Sequence, residues 1–223
     1  METRRAVRTV GLCWGLAAFG GTLAVAQQDV DTETIPIGYG RLNQDNLSIG
    51  LRADNLDIRM TILQESGLRL LNEEAYRSMH RLIESKQTAI DSIALRFGVQ
   101  KPGLLLVRYF ALAEGARFDA QLLTANINGQ FWTPLRIIPL TTSIQSDRLN
   151  RRQQAAGLYV FEEELTPFLP MGFAYASFRT DGWNSNRVEQ LLREQSRIQA
   201  RVIDDRTSKV QVQDQEQDST IPR

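Results

Sequence analysis

Cysteine occurs once in the 223 residues, at position 13, and histidine once, at position 80. Lysine and arginine together number 26, as do aspartate and glutamate, so neither sign of charge is in excess. Each shortage excludes something. Without an excess of basic residues there is no electrostatic footprint for nucleic acid or for an anionic membrane surface. A lone cysteine supports no disulfide framework, iron–sulfur cluster or thiolate zinc site. A lone histidine cannot fill a histidine-based metal centre, and no Cys/Asp/Glu cluster near it supplies the missing ligands. The chain also lacks a glycine-rich phosphate loop. The GYGR segment at 38–41 has neither the spacing nor the flanking strand and helix of one.

Long apolar runs are scarce as well, and the first marks an address. Arg4, Arg5 and Arg8 precede a largely apolar stretch from Val10 to Ala26 that ends in Ala24-Val25-Ala26, with polar Gln27, Gln28 and Asp29 after it. This is the order of a secretory signal peptide with cleavage after Ala26. At about 17 residues, with four glycines, the run is at the short limit for a membrane span. Arg8 stands where a twin-arginine signal wants an apolar residue, and Leu12 is too large before a lipidated Cys13. The expected product is therefore exported, to the periplasm or the extracellular space, and keeps no stable membrane span. Three arginines and one glutamate leave with residues 1–26, so the remaining 197 residues carry 23 basic and 25 acidic side chains and no cysteine.

Along that mature chain, residues 27–45 are polar and mixed and read as a flexible lead-in, 46–203 as a single globular domain, and 204–223 as a disordered tail. Within the domain Leu47, Ile49 and Leu51, then Leu56, Ile58, Met60 and Ile62, alternate with polar neighbours around Ala53-Asp54-Asn55. Period two with a turn between predicts a hairpin. From Glu73 to Phe97 the period becomes three to four: Tyr76, Met79, Ile83, Ile90, Ile93 and Phe97 form one stripe, interrupted at Lys86. Asn72 suits its cap and Gly98 its end. The run LLLVRYFALA after Pro102-Gly103 reads as a central strand, and four further strand-like runs follow without helices between them. A second helix, about Asn186 to Ile203, carries Val188, Leu191, Leu192, Ile198 and Val202. The expected fold is α+β and mainly β, an antiparallel β-sandwich or curved sheet with one long covering helix and a C-terminal helix.

The Asn128-Gly129 pair favours a two-residue type I′ hairpin loop. Its register would place Ala125 opposite Trp132 and Asn126 opposite Phe131. Trp132 then faces the apolar side with Leu123, Ala125 and Ile127, while Phe131 stands among Thr124, Asn126 and Thr133 as the contact residue. Pro134 places this strand at an edge or bends it there. A second aromatic, Trp183, lies in the polar stretch RTDGWNSNR beside Asp181 and Asn184. It reads either as a sugar platform or, if its ring is buried, as a staple between the loop and the C-terminal helix.

Candidates for chemistry are thin. His80 lies beside the stripe of the first helix, and Ser78, Ser85 and Ser92 lack a nucleophile elbow. Glu162 and Glu164 share a strand face at a spacing that would suit glycoside hydrolysis, but next-but-one strand residues meet that spacing trivially, and Arg148, Arg151 and Arg152 precede them as ion-pair partners. The acid spacing of DVDTE at 29–33 lacks the turn glycine of a calcium loop, and the Asn46-Leu47-Ser48 sequon is a three-residue match. No catalytic residue, metal ligand or cofactor is expected. The binding residues expected are Phe131, Trp183, Asp181 and Asn184. The corresponding function is a non-enzymatic exported domain that binds another envelope protein through a sheet edge or helix face. The alternatives are glycan binding or hydrolysis, and self-association through the C-terminal helix.

Overall fold

The computed structural model describes residues 35–218, with the backbone alone for Arg206 and residues 208–218. The segment assigned to the signal peptide, the first part of the lead-in and residues 219–223 lie outside the described residues.

Two antiparallel sheets carry the fold. The first opens with β1 (Ser48–Ala53) and β2 (Leu56–Ile62), the expected hairpin, joined by a two-residue loop in which Asp54 takes a positive φ of 46°. After a short helix α1 (Glu65–Leu68) and the helices α2 (Glu73–Glu84) and α3 (Gln87–Phe97), β3 (Gly103–Ala111) pairs with β2. Next come β4 (Ala116–Arg117), β5 (Leu123–Ile127), β6 (Gln130–Trp132), β7 (Arg136–Pro139), β8 (Arg148–Leu149) and β9 (Gln154–Phe161). The chain ends with β10 (Met171–Tyr175), β11 (Phe178–Trp183) and α4 (Ser185–Asp218). The sheet orders are β1-β2-β3-β9-β7 and β11-β10-β5-β6, with β4 and β8 forming a small ribbon.

The apolar run of β3 takes the central place that its sequence calls for, because a strand flanked on both sides needs residues that tolerate burial on both faces. Its first five residues are all buried. On the inner face Tyr109 meets Tyr175 of β10 at 5.8 Å and Phe118 at 5.1 Å between ring centres, so the two sheets share one core. At their edges Gly182 of β11 lies against Ile49 of β1, where a Cβ would stand 2.9 Å from the Ile49 Cδ1.

Three expectations are corrected. The covering helix is two helices: α2 stops at Glu84, and Lys86, at φ −116° and ψ 3°, caps α3. The break falls at Lys86, where the stripe was interrupted, but no glycine or proline makes it, and the phase of the apolar stripe is preserved across it. The predicted ends hold, with Asn72 Oδ1 accepting from the Ala75 N–H at 2.9 Å and Gly98 closing α3 at φ 71°. The described half of the lead-in is docked rather than loose. Ile35 is buried, the Leu42 N–H donates to Leu70 O, the Asn72 N–H donates to Leu42 O, and Gly40 packs so closely that a Cβ would come 2.2 Å from Leu70 O. The same segment is clasped by α4, where the Arg41 N–H donates to Glu194 Oε1 and Arg197 donates to Tyr39 O. Burial alone would raise the Glu194 pKa, yet these donors and the Arg197 guanidinium hold the carboxyl below its ordinary range. Finally, α4 continues past Ile203 to Asp218. No glycine or proline interrupts residues 204–218, so the backbone has no reason to leave the helix there.

Candidate functional site

The β5–β6 hairpin has the expected loop and register. Asn128 and Gly129 take φ values of 52° and 81°, both positive as a type I′ turn demands, and Ala125 faces Trp132 while Asn126 faces Phe131. Leu123, Ala125 and Ile127 are buried and Trp132 packs half-buried against them, whereas Phe131 is 55% exposed. Proline 134 does both things expected of it. β6 is the outermost strand of its sheet, and just beyond the proline the chain crosses to the other sheet as β7.

Cross-strand partners extend the Phe131 row over the outer face. Asn126 pairs with Gly172 of β10, and a Cβ on Gly172 would stand 2.9 Å from the Asp181 Oδ1 of β11. Phe131, Asn126, Gly172 and Asp181 thus line up across four strands, roughly 14 Å from end to end at the usual strand spacing. Arg179 reaches over this face to place its guanidinium 5.6 Å from the Phe131 ring centre. Beyond the row, a groove of about 430 Å³ runs between the hairpin tip and the start of α4, with Asn126, Asn128, Asp181 and Asn184 on its walls and Trp183 beneath.

Trp183 itself is not a platform. It is 1% exposed, its Nε1–H donates to Pro167 O at 3.0 Å, and the Arg187 guanidinium covers the ring at 5.4 Å. The buried-staple reading holds. Strict alternation along β11 would have turned this ring outward, but the register slips between Met171↔Trp183 and Phe173↔Thr180, and the bulge rotates it into the core. Asn184 is also partly committed to structure, because its Oδ1 accepts from the Arg187 N–H at the start of α4. Of the four expected residues, Phe131 and Asp181 share one exposed row, Asn184 lies at its margin and Trp183 is beneath it. Sequence reading missed Arg179 and the Gly172 floor. A signal existed on β10, where Met171, Phe173 and Tyr175 alternate with Gly172 and Ala174, large residues inward and small ones outward.

Elsewhere the buried phenols are engaged structurally. Tyr159 donates to Ala120 O and, its single proton spent, accepts from Tyr109 at 2.7 Å; Tyr175 accepts from the Asp119 N–H. Burial, the largest influence on each, raises all three phenols above the ordinary tyrosine range, so they stay neutral. Asp119 and Ala120, the backbone partners of Tyr175 and Tyr159, line a cleft of about 410 Å³ together with Asp147. His80 stacks on Tyr76 with centroids 5.3 Å apart, and its Nε2 lies 3.3 Å from Glu84. Burial, then Glu65, pushes the Tyr76 phenol up to about 12. Glu162 is exposed, and Glu164 accepts from the Gln64 amide. Among the described residues no group of three His, Cys, Asp or Glu side chains could hold a metal ion, and no helix is long and apolar enough to cross a membrane.

Comparison with protein-family models, with curated proteins and with solved structures gives no match.

Proposed function

We propose that the protein is an exported, non-enzymatic domain of the cell envelope that binds another envelope protein through the β6 edge and the adjoining outer face of the four-stranded sheet. One observation carries this reading: Phe131 is a large apolar ring left 55% exposed on an outermost strand. An unpaired edge offers a ladder of backbone groups to an incoming strand, and an aromatic beside it supplies the anchor that makes such contacts specific. Export rests on the basic n-region, the apolar run and the Ala24-Val25-Ala26 site.

A glycan ligand is the second reading, favoured by the groove that gathers Asn126, Asp181 and Asn184 beside the Phe131 row. For self-association through α4, Val188, Leu191, Ile198 and Val202 are buried in the chain's own core, which leaves Leu192 as the exposed member of that stripe.

Crosslinking and affinity capture of the tagged protein from its native envelope tests the first reading. It requires one reproducible protein partner that disappears with Phe131→Asp. Capture that survives the substitution would remove the β6 edge from consideration. Binding of glycans in an array, abolished by Asp181→Ala, would favour the second reading instead.

A further inference from the structure

A second face, open to solvent at Gly50 and Arg59, carries a different chemistry. Arg108 sits midway along the central strand β3, and since its neighbour Tyr109 points to the other sheet, Arg108 points away from it. Its register partners are Arg59 on β2 and Ala156 on β9, and the partner of Arg59 on β1 is Gly50. One row of the outer face therefore reads Gly50, Arg59, Arg108, Ala156. Two guanidinium chains stand directly opposite one another, about 5 Å apart at Cβ, between residues with almost no side chain. The space above Gly50 is open, with nothing within 4 Å of a Cβ placed there.

Like charges paired across a sheet are destabilising, and a buried guanidinium N–H without an acceptor adds to that. Both conditions hold here. Arg59 has one carboxylate, Asp45, at 3.4 Å and itself 75% exposed. The buried Nε of Arg108 has no hydrogen-bond partner among the described residues. Burial, and after it the charge of Arg59, hold the Arg108 pKa below its ordinary range, with Asp45 opposing. The other buried side-chain donor without an acceptor is Gln44 Nε2, in the same 3₁₀ turn (Gln44–Leu47) that supplies Asp45. The unmet demand is in each case for an acceptor, and on the Arg59–Arg108 row it is for a negatively charged one.

We propose that this row is a binding site for a small oxyanion of the phosphate or sulfate class, held between the guanidinium groups of Arg59 and Arg108 on the outer face of the five-stranded sheet. The planar fork of arginine matches such an anion with two parallel N–H donors, and two forks side by side neutralise its charge. The site is separate from the Phe131 row, on the other sheet, so either assignment stands without the other.

The test is thermal unfolding of the purified protein in millimolar phosphate or sulfate against chloride at matched ionic strength. At ten times the dissociation constant, wild type should gain about 3–6 °C along a saturating curve. Arg108→Met should lose that gain and, by removing the unpaired charge, unfold at a higher temperature than wild type in chloride. Arg136→Met, an exposed arginine of β7, should keep the gain. An equal gain in wild type and Arg108→Met, or none in wild type, would overturn the site. Should Arg108→Met fail to fold, the Nε–H resonances of wild-type Arg59 and Arg108 decide the matter. Saturable anion shifts absent from Arg136 support the site, and their absence rejects it.

Discussion

The two edges of the four-stranded sheet each carry one aromatic ring beneath one arginine, and they are otherwise opposites. On β11 the Trp183 ring lies 5.4 Å from the Arg187 guanidinium and is 1% exposed. On β6 the Phe131 ring lies 5.6 Å from that of Arg179 and is 55% exposed. The stacking distances are nearly the same, so stacking does not separate the two sites. What separates them is the rest of the guanidinium. Arg187 Nη1 also donates to the carbonyls of Asp45, Asn46 and Ser48, tying the start of α4 to the turn before β1. The Arg179 guanidinium makes no hydrogen bond among the described residues. An aromatic–arginine pair is structural when the remaining N–H groups find carbonyls, and it is available to a ligand when they do not.

Four substitutions break or sharpen that contrast. Trp183→Ala should have the largest effect, a loss of about 3–5 kcal/mol read from urea midpoints, because a fully buried indole leaves a cavity and an unanswered carbonyl at Pro167. A loss under about 1 kcal/mol would mean that the β11 edge is not a staple. Arg187→Met should cost about 2–3 kcal/mol, since the methionine covers the ring but gives nothing to the three carbonyls. Stability unchanged by it would reduce those contacts to surface decoration. Phe131→Asp should change stability by less than about 1 kcal/mol while abolishing partner capture. A large loss of stability would place Phe131 with Trp183 as a core residue. Arg179→Ala should be the mildest, about 0.5 kcal/mol or less. A loss several times larger would show that Arg179 holds β6 in place.

The same contrast marks what was legible in the sequence. The β5–β6 hairpin could be read residue by residue because its register follows from a two-residue turn and its faces from period two, both local properties. The β1–β2 hairpin and the central place of β3 were legible for the same reason. Trp183 was ambiguous because a bulge, not the alternation, decides where it points, and its polar neighbours Asp181 and Asn184 describe the loop, not the ring. The break at Lys86 showed only as one interrupted position, because the phase of the stripe is preserved across it. The docking of Ile35 and Tyr39 and the juxtaposition of Arg59 with Arg108 depend on partners remote in the chain, which no local pattern encodes.

The clasp between residues 35–42 and α4 fixes an order of events. Tyr39 donates to Asp205 across 166 positions, the Arg41 N–H to Glu194 across 153, and Arg197 to Tyr39 O across 158. The helix that supplies these partners, with Leu191, Ile198 and Val202 for the core, is synthesised after every strand of both sheets. A nascent chain can therefore pair the strands of both sheets before residues 39–41 find their partners, and the clasp is the last of these contacts to form.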